Sequence, residues 1–188
     1  MRVFSFITLL LMSLGAHADW SLDNKNSSLT FLTTKNSHIT EVSHFKTLSG
    51  QFDGKSATLE IDLSSLDTLI PIRNERMAKY LFETSKFAKA TIRVAIDEAQ
   101  LAELDKKSVL STTVNAKISL HGQEKTIQAS VFVSKTDDGM LNVISTQPVL
   151  IQASDFLLSD GVKKLQEIAK LQSISHTVPV SFKLQYNK

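Results

Sequence analysis

The chain has 188 residues, a formal net charge of +2, 21% charged residues and no cysteine. So even a charge balance argues against a duplex-binding protein, which carries a basic stripe. The missing thiol excludes a disulfide framework, thiol catalysis and a lipidated cysteine, and the length suits one domain with a sizeable core.

The chain opens with Met1-Arg2, followed by an uncharged, mostly apolar run from Val3 to Leu14 and then Ala16-His17-Ala18. A positive start, a short apolar stretch and small residues at the two positions a signal peptidase reads predict a secretory signal over 1–18. The run is too short to span a bilayer comfortably. Cleavage after Ala18 would leave a single domain over 19–188, and the bacterial character of the signal points to the periplasm.

Period-two alternation dominates from there. "SSLTFL" sets Leu29 and Phe31 on one face, and "HITEVSHF" and "GQF" are further strand candidates. "ATLEIDL" puts Ala57, Leu59, Ile61 and Leu63 opposite Thr58, Glu60 and Asp62. "NERMAKYLFE" then switches to helical spacing through Met77, Tyr80 and Leu81. After the strand "TIRVAI", "DEAQLAEL" begins with Asp97 as a cap and has Gln100 three residues on, the pattern of a capping box.

"VNAKISLHGQEKTIQASVFV" reads as a hairpin. The expected register pairs Ile118 with Ala129 and Leu120 with Ile127, closing a loop over Gly122 to Lys125. One face is then apolar, and the other carries Lys117, Ser119 and His121. His121 is expected to be a hairpin-end residue with ordinary turn chemistry. Phe132 falls on the outward face of its strand and is expected under a helix. "LNVIST" and "PVLIQA" continue the strands, and "DGVKKLQEIAKLQ" is a third helix with Val162, Leu165, Ile168 and Ala169 on one stripe. "PVSFKLQY" closes the chain with Val180, Phe182, Leu184 and Tyr186 alternating. The sum is an all-β domain of about eight to ten antiparallel strands, a barrel or a sandwich, with two or three short helices.

Catalytic signals are few. No H-E-x-x-H, G-x-S-x-G or phosphate-cradling glycine loop occurs. His38 and His44 lie six apart on one expected strand, but a metal site needs a third ligand that no motif supplies. Asp53, Glu60 and Asp62 read more simply as a solvated outer face than as an acid–base set. Arg73 and Arg76 open the first helix; they are either structural partners of carboxylates and carbonyls or contacts for an anionic head group.

The residues that speak most directly resemble a known family. The Leu-His-Gly hairpin from Val114 to Val133 is similar to the signature of YceI-like proteins. So is "IPIRNERMAKYLFETSKFAKATI", where Arg73, Arg76, Leu81, Phe82, Phe87 and Ala90 stand in family-like places. Ala88 occupies the position where that family commonly has proline. "WSLDNKNSSLTFLTTK" and "ASDFLL" extend the likeness across nearly the whole chain after the signal.

The resemblance implies an extended lipocalin-like antiparallel barrel of about eight strands. It also implies an apolar tunnel holding an amphiphile with an isoprenoid tail, of quinone or polyprenyl type. The lining expected on that basis is Phe31, Phe45, Phe52, Phe82, Phe87 and Phe156, with Ile118, Leu120, Ile127 and Ala129 from the hairpin. Arg73 and Arg76 are the head-group candidates. The expected partner is a hydrophobic small molecule or lipid, with no cofactor, no metal, no nucleic acid and no stable membrane insertion; a homodimer stays open. Two rivals remain at this point: a filled barrel acting as a stress-associated interaction protein, and an enzyme using His38, His44 or Asp53 on an amphiphilic substrate.

Overall fold

The computed structural model describes residues 20–188; the signal expected over 1–18 lies outside the described residues. The elements are β1 (Trp20–Leu22), β2 (Ser28–Lys35), β3 (Ile39–Phe45), β4 (Leu48–Phe52), β5 (Ser56–Asp62) and β6 (Leu66–Asp67). Next come α1 (Pro71–Tyr80), β7 (Lys89–Ala95), α2 (Glu98–Lys107), β8 (Val109–Leu120) and β9 (Gln123–Lys135). The chain ends with β10 (Leu141–Ser145), β11 (Val149–Gln152), α3 (Ser159–Ala169) and β12 (Thr177–Asn187). Two 3-10 turns, Leu63–Ser65 and Ala153–Phe156, interrupt the strands.

These segments build a closed antiparallel barrel. Pairing runs from β12 to β1, β4, β5, β7, β8, β9 and β10 and returns to β12. Several segments are halves of one bent wall strand. β1 and β2 lie along the same edge of β12, with Leu22 opposite Tyr186 and Ser28 opposite Lys183. β10 and β11 share the other edge, and β3 and β4 pair with β2 and β1 in turn. The expected eight-stranded barrel with three helices is thus what the chain forms. Closure leaves no long edge exposed, apart from the β3 edge, which carries only the short β6.

Local sequence explains the helices. α1 starts on Pro71, which fits a first turn because its missing N–H would be unbonded there anyway. α2 has the expected capping box: Asp97 accepts from Ala99 N–H, and Gln100 reaches back to the Asp97 N–H. Its stem is tied to β8 by Gln100 Nε2 donating to Thr112 Oγ1 at 2.8 Å. α3 crosses the end of α1 at Gly161, where a Cβ would sit 2.6 Å from the Tyr80 carbonyl oxygen; only glycine permits that approach.

The hairpin register differs from the expected one. Leu120 pairs with Gln123, Ala116 with Ile127 and Val114 with Ala129. The loop is only His121-Gly122, with φ of 51° and 75°. Two positive φ values define the tight hairpin turn whose twist matches the strands. Histidine is among the few non-glycine residues enriched in that region, so His-Gly works as Asn-Gly would. The offset from the expected register is even, so every side chain keeps its face. β8 therefore runs from α2 at one end of the barrel to the His121 turn at the other. The three helices split accordingly, α2 at the first end and α1 with α3 at the second.

Candidate functional site

The barrel interior is not filled. A cavity of about 550 Å³ runs inside it, lined by all eight wall strands and all three helices. That volume lies within the range of small-molecule sites. The alternation that makes the strands also makes the lining. Ala57, Leu59, Ile61 and Leu63 face it from the β5 stretch, and Val180, Phe182, Leu184 and Tyr186 from β12. The α3 stripe of Val162, Leu165, Ile168 and Ala169 faces it as well. The polar lining is sparse: Thr33, Thr58, Gln100, Thr112, Ser175 and the Tyr186 phenol. That phenol donates to the Thr58 carbonyl at 3.2 Å, and burial pushes its pKa up to about 12.

Of the residues expected to line the tunnel, Phe31, Phe45, Phe52, Phe82, Ile118, Leu120 and Ala129 do so. Phe45 packs between Phe31 and Phe82, with ring centroids 5.5 and 5.9 Å away. Phe87, Ile127 and Phe156 do not line it. Phe87 precedes β7 and turns onto the His121 ring, 4.5 Å between centroids. Phe156 belongs to a 3-10 turn and is fully buried in the wall, 0% exposed. Ile127 faces inward but packs on the surrounding core rather than on the void. Phe132 is outside the cavity as expected, on the face it shares with Ser111 and Ile144.

His121 is more buried than its strand pattern suggested, with 14% side-chain exposure. Its Nδ1 donates to the Phe156 carbonyl at 3.2 Å. Its Nε2 lies 3.4 Å from a Glu83 carboxylate oxygen but is not aligned for a hydrogen bond. The ring thus latches the hairpin tip to the 3-10 turn. The other candidate reactive groups lie away from the cavity. His38 is in the turn after β2 rather than on a strand, and His44 pairs with Thr30 on the outer face. Asp53 holds the β4–β5 turn by accepting from Ser56 and Lys55 N–H, which lowers its pKa. No histidine, aspartate or glutamate lines the cavity, and no group of three metal-ligating side chains occurs among the described residues.

One end of the cavity is shut and the other opens. At the α2 end, Ile96, Leu101 and Leu104 seal it, none of them exposed. At the opposite end, the exposed Ile70, Ile72 and Ala169 all line the void, so it reaches the surface between the start of α1 and the end of α3. The charged lining residues are Lys35, Arg73 and Arg76, all basic. Glu41 stands beside them, 2.7 Å from Lys35 Nζ and bonded to Arg73 Nη1. The Lys35 ammonium, with the Arg73 guanidinium, holds the Glu41 carboxyl below its ordinary pKa against partial burial. Arg73 Nη2 donates to the Thr68 carbonyl at 2.8 Å, while its buried Nε–H has no partner among the described residues. Arg76 makes no ion pair among the described residues. The sequence had offered a structural and a head-group role for Arg73. It holds the structural bonds, to Glu41 and to the Thr68 carbonyl.

The chain that forms this barrel and cavity matches a family model, the YceI-like domain, over residues 20–186. The chain belongs to the YceI-like family. Among solved structures, this YceI-like domain is similar to a polyisoprenoid binding domain from Saccharophagus degradans implicated in plant cell wall breakdown. The two share 38% identity over 89% of this chain and 97% of that one, at a TM-score of 0.84. Burkholderia cenocepacia BcnA shares the fold at 22% identity, covering 87% of this chain and 98% of its own, with a TM-score of 0.67. A Campylobacter jejuni YCEI protein does so at 16% identity, 78% and 84% coverage and a TM-score of 0.54. Among curated protein sequences, none matches.

Proposed function

We propose that this YceI-like domain binds an amphiphile with an isoprenoid tail, of quinone or polyprenyl type, and carries or stores it in the periplasm. The observation that supports this reading best is the dead-ended apolar cavity whose only charged lining is basic and sits at its mouth. The Saccharophagus relative, a polyisoprenoid binding domain, points to the same ligand class.

The energetics favour a tail-first fit. Each buried methylene gains about 0.8 kcal/mol, so one five-carbon unit gains roughly 3–4 kcal/mol gross. Ordering the tail and losing its freedom offset much of that. Affinity then rises with tail length until the closed end is reached. The head group stays at the mouth, where Arg76, which makes no ion pair among the described residues, offers donors to a carbonyl or anionic oxygen.

In this reading the domain acts by binding and shielding, which the apolar interior supports. An open cavity of this size suits a carrier better than a filled barrel that works through its outer surface. Organic extraction of the purified protein followed by mass spectrometry tests the proposal. A co-purifying isoprenoid lipid, or saturable uptake of an added isoprenoid quinone, is expected. A protein that is empty and ignores added isoprenoid quinones would overturn it.

A further inference from the structure

The open end carries a feature that ligand binding alone does not require. Leu69, just outside the mouth, is 80% exposed and adopts a left-handed backbone with φ of 62°. That conformation is unfavourable for a residue with a branched apolar side chain, and leucine in water gains nothing from it. Yet the turn is firmly held. Leu69 N–H donates to Asp67 Oδ1 at 2.8 Å, and Thr68 N–H to Asn74 Oδ1 at 2.9 Å. The Thr68 hydroxyl also donates to Asn74 Oδ1, at 2.6 Å, and the Thr68 carbonyl is bonded by Arg73. A rigid strained turn thus pushes Leu69, Ile70 and Ile72 into solvent on one side of the opening. Ile70 and Ile72 continue into the cavity lining, so the exposed apolar patch and the tunnel are one surface.

The charge around this patch selects its partner. Lys35, Arg73 and Arg76 stand at the rim, and the single carboxylate of Glu41, shared by Lys35 and Arg73, leaves the three with a net positive charge. Asp67 is turned to the Leu69 N–H and to Lys46, 3.6 Å away. Glu75 is exposed on α1 but does not line the opening. An apolar tip ringed by net positive charge is the pattern of a peripheral contact with anionic lipid. We propose that the Leu69–Ile72 turn docks the tunnel mouth onto an anionic phospholipid surface, so that the tail passes between bilayer and barrel without crossing water. The proposal rests on the lipid-binding reading above. The sealed α2 end leaves the docked mouth as the route of transfer.

Co-sedimentation of the purified chain with vesicles of phosphatidylglycerol or of phosphatidylcholine tests it, using the wild type and Leu69→Asn. Asparagine tolerates the left-handed conformation, and Leu69 does not line the cavity, so the barrel and its ligand site remain. Wild type should pellet with phosphatidylglycerol vesicles more than with phosphatidylcholine ones, and less as salt screens the rim. Leu69→Asn should weaken that binding by about tenfold, the loss expected for one inserted leucine. In a parallel arm, both proteins are loaded with a short-tailed isoprenoid quinone from detergent micelles, and the quinone is measured after extraction. Equal loading with reduced vesicle binding by the variant supports docking. Equal vesicle binding by the two proteins, indifference to lipid charge, or no binding by the wild type overturns it and leaves a protein partner for the patch. Failure of both proteins to load would instead overturn the tunnel reading.

Discussion

The two ends of the barrel are built on opposite principles. At the α2 end, the helix has a complete capping box, its apolar face drops Leu101 and Leu104 into the interior, and the wall is sealed. At the α1–α3 end, apolar side chains are left in water. Among the described residues, every non-glycine residue with a left-handed backbone lies there except Ser108. Strain of this kind persists only where surrounding bonds enforce it, and it concentrates at functional sites. One end behaves as the bottom of a vessel and the other as its lip. The same strands serve both, and the difference lies in what the connections between them hold.

That contrast predicts unequal costs for similar truncations. Leu104→Ala at the sealed end removes a buried side chain and should cost about 2–5 kcal/mol. Ile72→Ala at the open end removes one that is half in water already and should stay within roughly 0.5 kcal/mol. It should instead loosen the hold on a bound isoprenoid quinone. Urea midpoints of the two variants, with quinone retention measured alongside, check this. A large stability loss from Ile72→Ala would mean that the lip is part of the core.

Tyr186 tests the interior between the two ends. Its pKa is raised by burial to about 12 from the ordinary 10. A raised value in the folded state means stability present below pH 10 and lost as pH climbs through 12. A shift of that size corresponds to roughly 2–3 kcal/mol across the window. Denaturation midpoints between pH 9 and pH 12 should fall more steeply in the wild type than in Tyr186→Phe. Identical slopes would show that the phenol is reached by water.

Asp97→Ala probes the sealed end more gently. It removes the cap of α2 but no buried apolar atom, and should cost about 1 kcal/mol. If α2 is only a plug, quinone uptake should be unchanged by equilibrium titration. A faster exchange of bound quinone would show instead that the sealed end also opens.

The sequence made the barrel legible because half-buried strands alternate, and alternation survives a register error. The hairpin shows this: the observed loop is centred two residues before the expected one, yet Ala116, Ile118, Leu120 and Ala129 still face inward. The misjudged aromatics follow from the same cause. Phe87 and Phe156 lie outside strands, in a loop and a 3-10 turn, where period-two reasoning gives no direction. His121 was misplaced in depth because its burial comes from Phe87 and Phe156, far from it along the chain. The His-Gly pair, read as an Asn-Gly equivalent, was the available signal for its turn. Arg73 and Arg76 were visible as a pair, but Glu41 stands 32 residues from Arg73 and became their neighbour only through the fold of β3 against α1.

Glu41 gives the smallest expected effect and the finest test of the lip. Its carboxyl is partly exposed and is shared by Lys35 and Arg73, which lower its pKa. A lowered value means that its contribution is present above the unfolded carboxylate range and lost as pH falls through the folded value. Exposed pairs of this kind are worth little, so Glu41→Gln should change stability at pH 7 by under about 1 kcal/mol. Its wild-type advantage should fade below pH 4.5, seen as converging urea midpoints between pH 7 and pH 3. The larger consequence lies in charge. Without the carboxylate, Lys35 and Arg73 face the opening uncompensated, and an anionic isoprenoid such as farnesyl phosphate should bind more tightly while a neutral quinone changes little. Equal gains for both would mean that Glu41 acts by blocking the mouth rather than by balancing its charge.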